Sequence, residues 1–162
     1  MLILGVDVGL RGALALLDSE TGEIVAIHDM PVLADGARGR AAINAPLLAA
    51  LIYGSHAHHA FVELVGARPG EAAGSSFAFG RSRGVTEGAL AACGLPTTLL
   101  TPPVWRRAVG IQHGAGKDVS RSEAIRRWPA RASLFARRVD DGRAEACLIA
   151  VAGLMRLRCE AA

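Results

Sequence analysis

The apolar positions of this chain begin as short runs broken by turn residues. LILGVDV (2–8), ALALLD (13–18) and EIVAIHD (23–29) are separated first by the glycines at 9 and 12 and then by SETG. Short apolar runs bounded in this way predict strands, and links this brief predict antiparallel neighbours. A stretch rich in Ala and Leu over 41–53 predicts a helix, and HAFVELV (59–65) predicts a fourth strand. Reaching that strand through a helix suits a parallel pairing with the first one.

Helical and extended patterns then alternate. GARPGEAAGSS (66–76) has the chemistry of a loop and leads to a helix over 76–93. PTTLL (96–100) is a fifth strand, and the prolines of TPPVWRRAV open another helix. GIQHGAGK (110–117) is a second loop, followed by a helix that Asp118 is placed to cap. PARASLFARRV (129–139) is a poorly patterned connector, and DDGRAEACLIAVAGLM (140–155) is a terminal helix. Three strands followed by helices alternating with two more strands is the order of an α/β domain with a mixed five-stranded sheet flanked by helices. The RNase H-like arrangement is one such fold. No internal repeat or boundary divides residues 1–162, so a single domain is expected.

Composition narrows the function classes. With 51% apolar and 20% charged residues the chain is globular rather than disordered. Its formal charge of +3 is mildly basic, compatible with an acidic partner without requiring one. All of the basic residues except Lys117 are arginine, as a GC-rich genome would favour. Cys93, Cys147 and Cys159 have no paired spacing and suit reduced thiols in a cytoplasmic protein. Asp7 and Arg11 interrupt the apolar start, and no basic segment precedes it, which argues against a signal peptide. No apolar run approaches the roughly 20 residues that span a bilayer, so no membrane partner is expected. HAHH (56–59) runs straight into a strand without distant partner ligands, which disfavours zinc. Trp105 and Trp128 read as core residues at helix ends.

The acids carry the chemistry. Asp7 lies late in the first strand on the face of Ile3 and Gly5, and Glu63 lies late in the fourth with Phe61 and Val65. In the terminal helix Asp141 and Glu145 share a face with Leu148, Ile149, Ala152 and Met155. A carboxylate removed from water protonates, pairs or binds a metal. One such acid has an ordinary explanation in a turn or an arginine partner; four suggest a common cause. Adjacent first and fourth strands would put Asp7 beside Glu63 at their carboxyl ends, where open α/β sheets place ligands. A helix crossing that end would add Asp141 and Glu145. Hard Mg²⁺ or Mn²⁺, two ions per site, would neutralise such a cluster and support phosphodiester hydrolysis, with no organic cofactor.

LILGVDVGLRGALALL, AFVELV, SSFAFGRSRGVTEGAL, TPPVWRRAVG, GKDVSRSEAIRRWP and DDGRAEACLIA follow one another in an order that resembles RuvC-like Holliday-junction resolvases, most of all their phage and chloroplast members. The resemblance implies an RNase H-like fold, a homodimer, and two-metal cleavage of paired strands at a four-way DNA junction. It matches Asp7, Glu63 and Glu145 to the family's metal-binding acids and Asp141 to the acid one turn before the last. The bacterial pattern spaces that final pair by three residues and here the gap is four, which leaves Asp140 open as a substitute for Asp141. Lys117 resembles the family's basic residue near the metals. Bacterial members carry an aromatic just after the fourth-strand glutamate. This chain has LVGAR there, so Phe77 or Phe79 would have to supply a ring.

Gly80, Gly84 and Gly88 form a small-residue row in the helix over 76–93, at a cost of about 1 kcal/mol each against alanine. The row would serve packing on the domain's own sheet, or contact with a twin helix across a two-fold axis. Arg11, Arg68, Arg81, Arg83, Lys117 and Arg121 are candidates for a DNA-binding surface around the acids. Three functions remain: a Holliday-junction endonuclease, an RNase H-like nuclease for RNA–DNA hybrid or other branched DNA, and a junction-binding protein without catalysis.

Overall fold

The computed structural model describes residues 1–34, 41–66, 70–112, 114, 116 and 118–160. Five strands form the main sheet: β1 (Leu2–Asp7), β2 (Ala13–Asp18), β3 (Ile24–Asp29), β6 (His59–Glu63) and β7 (Thr97–Leu100), in the order β3-β2-β1-β6-β7. The first three run antiparallel, and β6 and β7 join parallel to β1. This is the mixed five-stranded sheet flanked by helices that the pattern predicts. A two-stranded sheet lies apart from it, β4 (Val32–Ala34) with β5 (Ala41–Ile43).

The helices are α1 (Ala45–Gly54), α2 (Ala73–Ala92), α3 (Pro102–Ala108), α4 (Val119–Arg127) and α5 (Asp141–Glu160). The expected helix over 41–53 therefore starts late, because its first three residues pair as β5. Asn44 caps α1 through a 3.2 Å bond from the Leu47 N–H, and Pro46 sits in the first turn, where a missing N–H costs nothing. Asp118 stands at the start of α4 but does not cap it; its carboxylate pairs with Arg121 instead. The connector is a pair of 3₁₀ turns, Pro129–Phe135 and Arg138–Asp140.

Both faces of the sheet are buried, so alternate residues of each strand enter different cores. Leu4, Val6 and Val62 pack with α1 and α2 through Leu48, Ile52 and Leu90. Ile3, Ala15 and Phe61 pack with α5 through Leu148 and Ile149. Helix α5 is buried on nearly every side from Ala146 to Leu154, because α3 and α4 cover its outer flank. Met155, expected on the inward face, is 38% exposed where that cover ends.

Two glycines set how close α5 comes to the sheet. A Cβ on Gly5 would lie 2.0 Å from the Ala146 carbonyl oxygen and 2.7 Å from the Ala150 nitrogen. A Cβ on Gly142 would lie 2.3 Å from the Arg11 carbonyl oxygen and 3.1 Å from Asp7 Oδ2. Backbone meets backbone at both points, and the first turns of α5 are pressed against the end of β1. Trp105 and Trp128 are core residues as expected. The histidines of 56–59 have structural partners: His58 Nδ1 accepts from the Leu2 N–H, and His59 Nε2 lies 2.9 Å from Thr98 Oγ1.

Candidate active site

The register Val6↔Val62 sets Asp7 beside Glu63 one step further along the parallel pair, at the carboxyl ends of β1 and β6. Glu145, one turn into α5, closes the group. One oxygen from each of Asp7, Glu63 and Glu145 lies within 4.8 Å of the others. Asp7 and Glu145 also face a cleft of about 840 Å³ walled by Leu10, Arg11, Phe79, Arg138, Val139 and Asp141.

Each acid is held differently. Asp7 is held well above the usual carboxylate range, first by burial and then by the negative charges of Glu63 and Glu145. Glu63, 8% exposed, accepts a 2.9 Å bond from the indole Nε1–H of Trp105, itself fully buried. Glu145 accepts from Arg106 at 2.9 Å and from the Ser120 hydroxyl at 3.1 Å. The Arg106 guanidinium also lies over the Trp105 ring, 5.2 Å from its centroid. With side chains 35% and 20% exposed, the Arg106–Glu145 pair is worth about 0.2–1 kcal/mol.

Asp141 lines the same cleft but stands outside the three-acid group, 40% exposed and 2.9 Å from Arg121 Nε. Asp140 faces the other way. It is 1% exposed and accepts from the Arg137 N–H at 2.8 Å and from the Arg137 guanidinium, which holds its carboxyl below the ordinary range. That fixed structural role leaves Asp141 as the α5 acid that shares the cleft with Glu145.

The candidate basic residues scatter. Arg11 lines the cleft, and Arg121 reaches it through Asp141. Arg83 pairs with Glu87 on α2, and Arg81 is exposed beside it. Arg68 and Lys117 lie outside the described residues. Phe79 contributes to the cleft wall, while Phe77 is 76% exposed on α2. Gly80, Gly84 and Gly88 do not pack on the domain's own sheet: a Cβ on any of them would meet nothing within 4 Å among the described residues.

The structure adds Trp105, Arg106, Ser120, Arg138 and Val139 to the site. From the sequence Trp105 reads only as a core residue. Trp105, Arg106 and Ser120 do not announce their roles locally, because their contacts to Glu63 and Glu145 span 25 to 42 residues of sequence.

No family model and no curated protein sequence matches the chain. Among solved structures, RuvC of Thermus thermophilus bound to a Holliday junction substrate superposes with a TM-score of 0.64, covering 98% of this chain and 96% of that one at 13% identity. The fold is that of RuvC. A second Thermus thermophilus RuvC structure gives a TM-score of 0.56 at 16% identity, over 99% of this chain and 97% of that one. The five-stranded sheet order and its flanking helices are thus those of a RuvC-like, RNase H-like fold. No described helix is long and apolar enough to cross a membrane.

Proposed function

We propose that this chain is a metal-dependent endonuclease that resolves four-way DNA junctions, of the phage and chloroplast kind that its motifs resemble. The observation that carries the reading is the meeting of Asp7, Glu63 and Glu145 within 4.8 Å in a RuvC-like fold. Three carboxylates this close repel unless a proton or a cation intervenes, and that repulsion adds to burial in raising the pKa of Asp7. The oxygen-only donor set fits hard Mg²⁺ or Mn²⁺. Two such ions would supply charge to activate a water and to stabilise the leaving oxygen of a phosphodiester.

In this reading Asp7, Glu63 and Glu145 hold the ions, and Asp141 joins them from the rim once it parts from Arg121. Trp105 fixes one oxygen of Glu63 and so orients its carboxylate. Lys117 is assigned the charge beside the scissile phosphate. Arg11 on the cleft wall, with Arg81, Arg83 and Arg121 further out, is assigned to phosphates of the junction arms, and Arg68 is assigned the same task from the sequence. A homodimer supplies the two symmetric cuts. The exposed glycine row of α2 supports that arrangement, since it offers a backbone surface that nothing among the described residues covers. A cytoplasmic location suits DNA as the substrate.

The test compares cleavage of a four-way junction, an RNA–DNA hybrid and a linear duplex in Mg²⁺ and in Mn²⁺. Symmetric cleavage of the junction alone is expected. Preferential cutting of the hybrid would replace the substrate, and junction binding without nicking would remove the catalysis. Asp7→Asn is expected to lower cleavage at least about a thousandfold while junction binding persists, because most of the rate comes from charge placed at the reacting phosphate.

A further inference from the structure

The groups around the acids differ in how firmly they are held. The Trp105 indole is fully buried against Glu63, and Ser120 is 1% exposed beside Glu145. Arg121 donates to the Phe135 and Ala136 carbonyls and pairs with Asp118 as well as Asp141, so several contacts tie it down. Arg106 is held less firmly. Its side chain keeps 35% of its exposure, and Glu145 is its one anionic partner among the described residues. Its Nε is buried without an acceptor. Beyond it opens a second groove, about 700 Å³, that it borders with Pro102, Arg107 and Gln112.

The Arg106 guanidinium therefore rests on a carboxylate of the three-acid group, one that a divalent ion would need. A part-exposed ion pair is a weak competitor, whereas a divalent ion shared by several carboxylates attracts that carboxylate with twice the charge. We propose that Arg106 is an exchangeable counter-ion. It neutralises Glu145 in the metal-free protein, gives way when a divalent ion binds, and then turns toward the second groove to take a phosphate oxygen of the DNA strand. The proposal rests on the nuclease reading and adds a coupling to it. Metal uptake releases a phosphate-binding group, and by linkage DNA engagement tightens the hold on metal.

The exchange has a signature that a packing role lacks, because removing the charge should move the two affinities in opposite directions. The experiment measures Mn²⁺ binding by titration calorimetry without DNA for wild type, Arg106→Met and Arg106→Lys. Methionine keeps an apolar stem over Trp105, and Arg106→Gln serves if the methionine variant does not fold. Arg106→Met is expected to bind Mn²⁺ about two- to fivefold more tightly, the worth of a part-exposed ion pair, and Arg106→Lys close to wild type.

Four-way junction affinity is then measured in chelator and in Ca²⁺, whose looser coordination is chosen to load the acids without cleavage. Wild type and Arg106→Met are expected to match in chelator. In Ca²⁺ the variant should bind about tenfold less tightly, the loss of one charge-assisted phosphate contact. Equal or weaker Mn²⁺ binding by Arg106→Met, with wild type still taking up Mn²⁺, overturns the exchange and leaves the nuclease reading standing. Equal loss of DNA affinity with and without Ca²⁺ overturns it too. A wild type that takes up no Mn²⁺ overturns both.

Discussion

Asp7 shows in one side chain what the whole site demands. Its pKa is raised by burial and by Glu63 and Glu145, so the fold holds its proton more firmly than the unfolded chain does. A raised carboxyl favours the native state fully below its ordinary value of 3.8, and that favour is lost as pH rises through the folded value. In chelator, Asp7→Asn should therefore be more stable than wild type at neutral pH, and the gap should close as pH falls toward 3.8. Denaturant unfolding across that range checks it. Saturating Mn²⁺ should reverse the ranking at neutral pH, because the ion then stabilises only the protein that keeps the carboxylate.

The neighbouring pair Asp140 and Asp141 makes the converse point. Two adjacent acids have separate tasks because one helical step turns them about 100° apart. Asp140 is locked to Arg137 at the entrance to α5, and Asp141 is turned to the cleft.

At the scale of elements, α5 is the part that assembles the site, and its placement depends on Gly5. Any side chain there meets the backbone of Ala146 and Ala150, which has no rotamer to yield. Gly5→Ala should cost about 1–3 kcal/mol or more in denaturant unfolding, the usual penalty of overpacking. It should also weaken Mn²⁺ binding, since the helix that carries Glu145 must shift.

Much of this was legible in the sequence. Asp7 and Glu63 stand out because each breaks an apolar strand, and Glu145 because it lies on the apolar face of a helix. Pro46 marked the true start of α1, since a helix begun at residue 41 would place it in the interior, where it breaks a hydrogen bond. The pairing of β4 with β5 was hidden, because strands of three residues are too short to show a period. The second tasks of Trp105 and Arg106 were hidden for another reason. An indole N–H and a guanidinium show their purpose only once α3 has docked on β6 and α5.

At the scale of the molecule, α2 presents an exposed face of Phe77, Gly80, Gly84 and Gly88. If a second copy covers it, Gly84→Leu should raise the dimer dissociation constant at least about tenfold, a penalty of roughly 1.4 kcal/mol. The fold of each copy should survive, because a Cβ at position 84 meets nothing within 4 Å among the described residues of its own chain. Sedimentation at several concentrations measures the first effect and circular dichroism the second.

The direct seating of α5 on β1 has a consequence for how the protein comes into being. The first described strand and the last described helix form one core, with Ile3 and Phe61 lying against Leu148 and Ile149. As the chain leaves the ribosome, β1, β2 and β6 can pair early, yet their inner face stays bare until residues 141–160 emerge. Asp7 and Glu63 meanwhile wait without Glu145. The acidic pocket thus cannot form before α5 emerges, and no chain stopped short of that helix brings the three acids together.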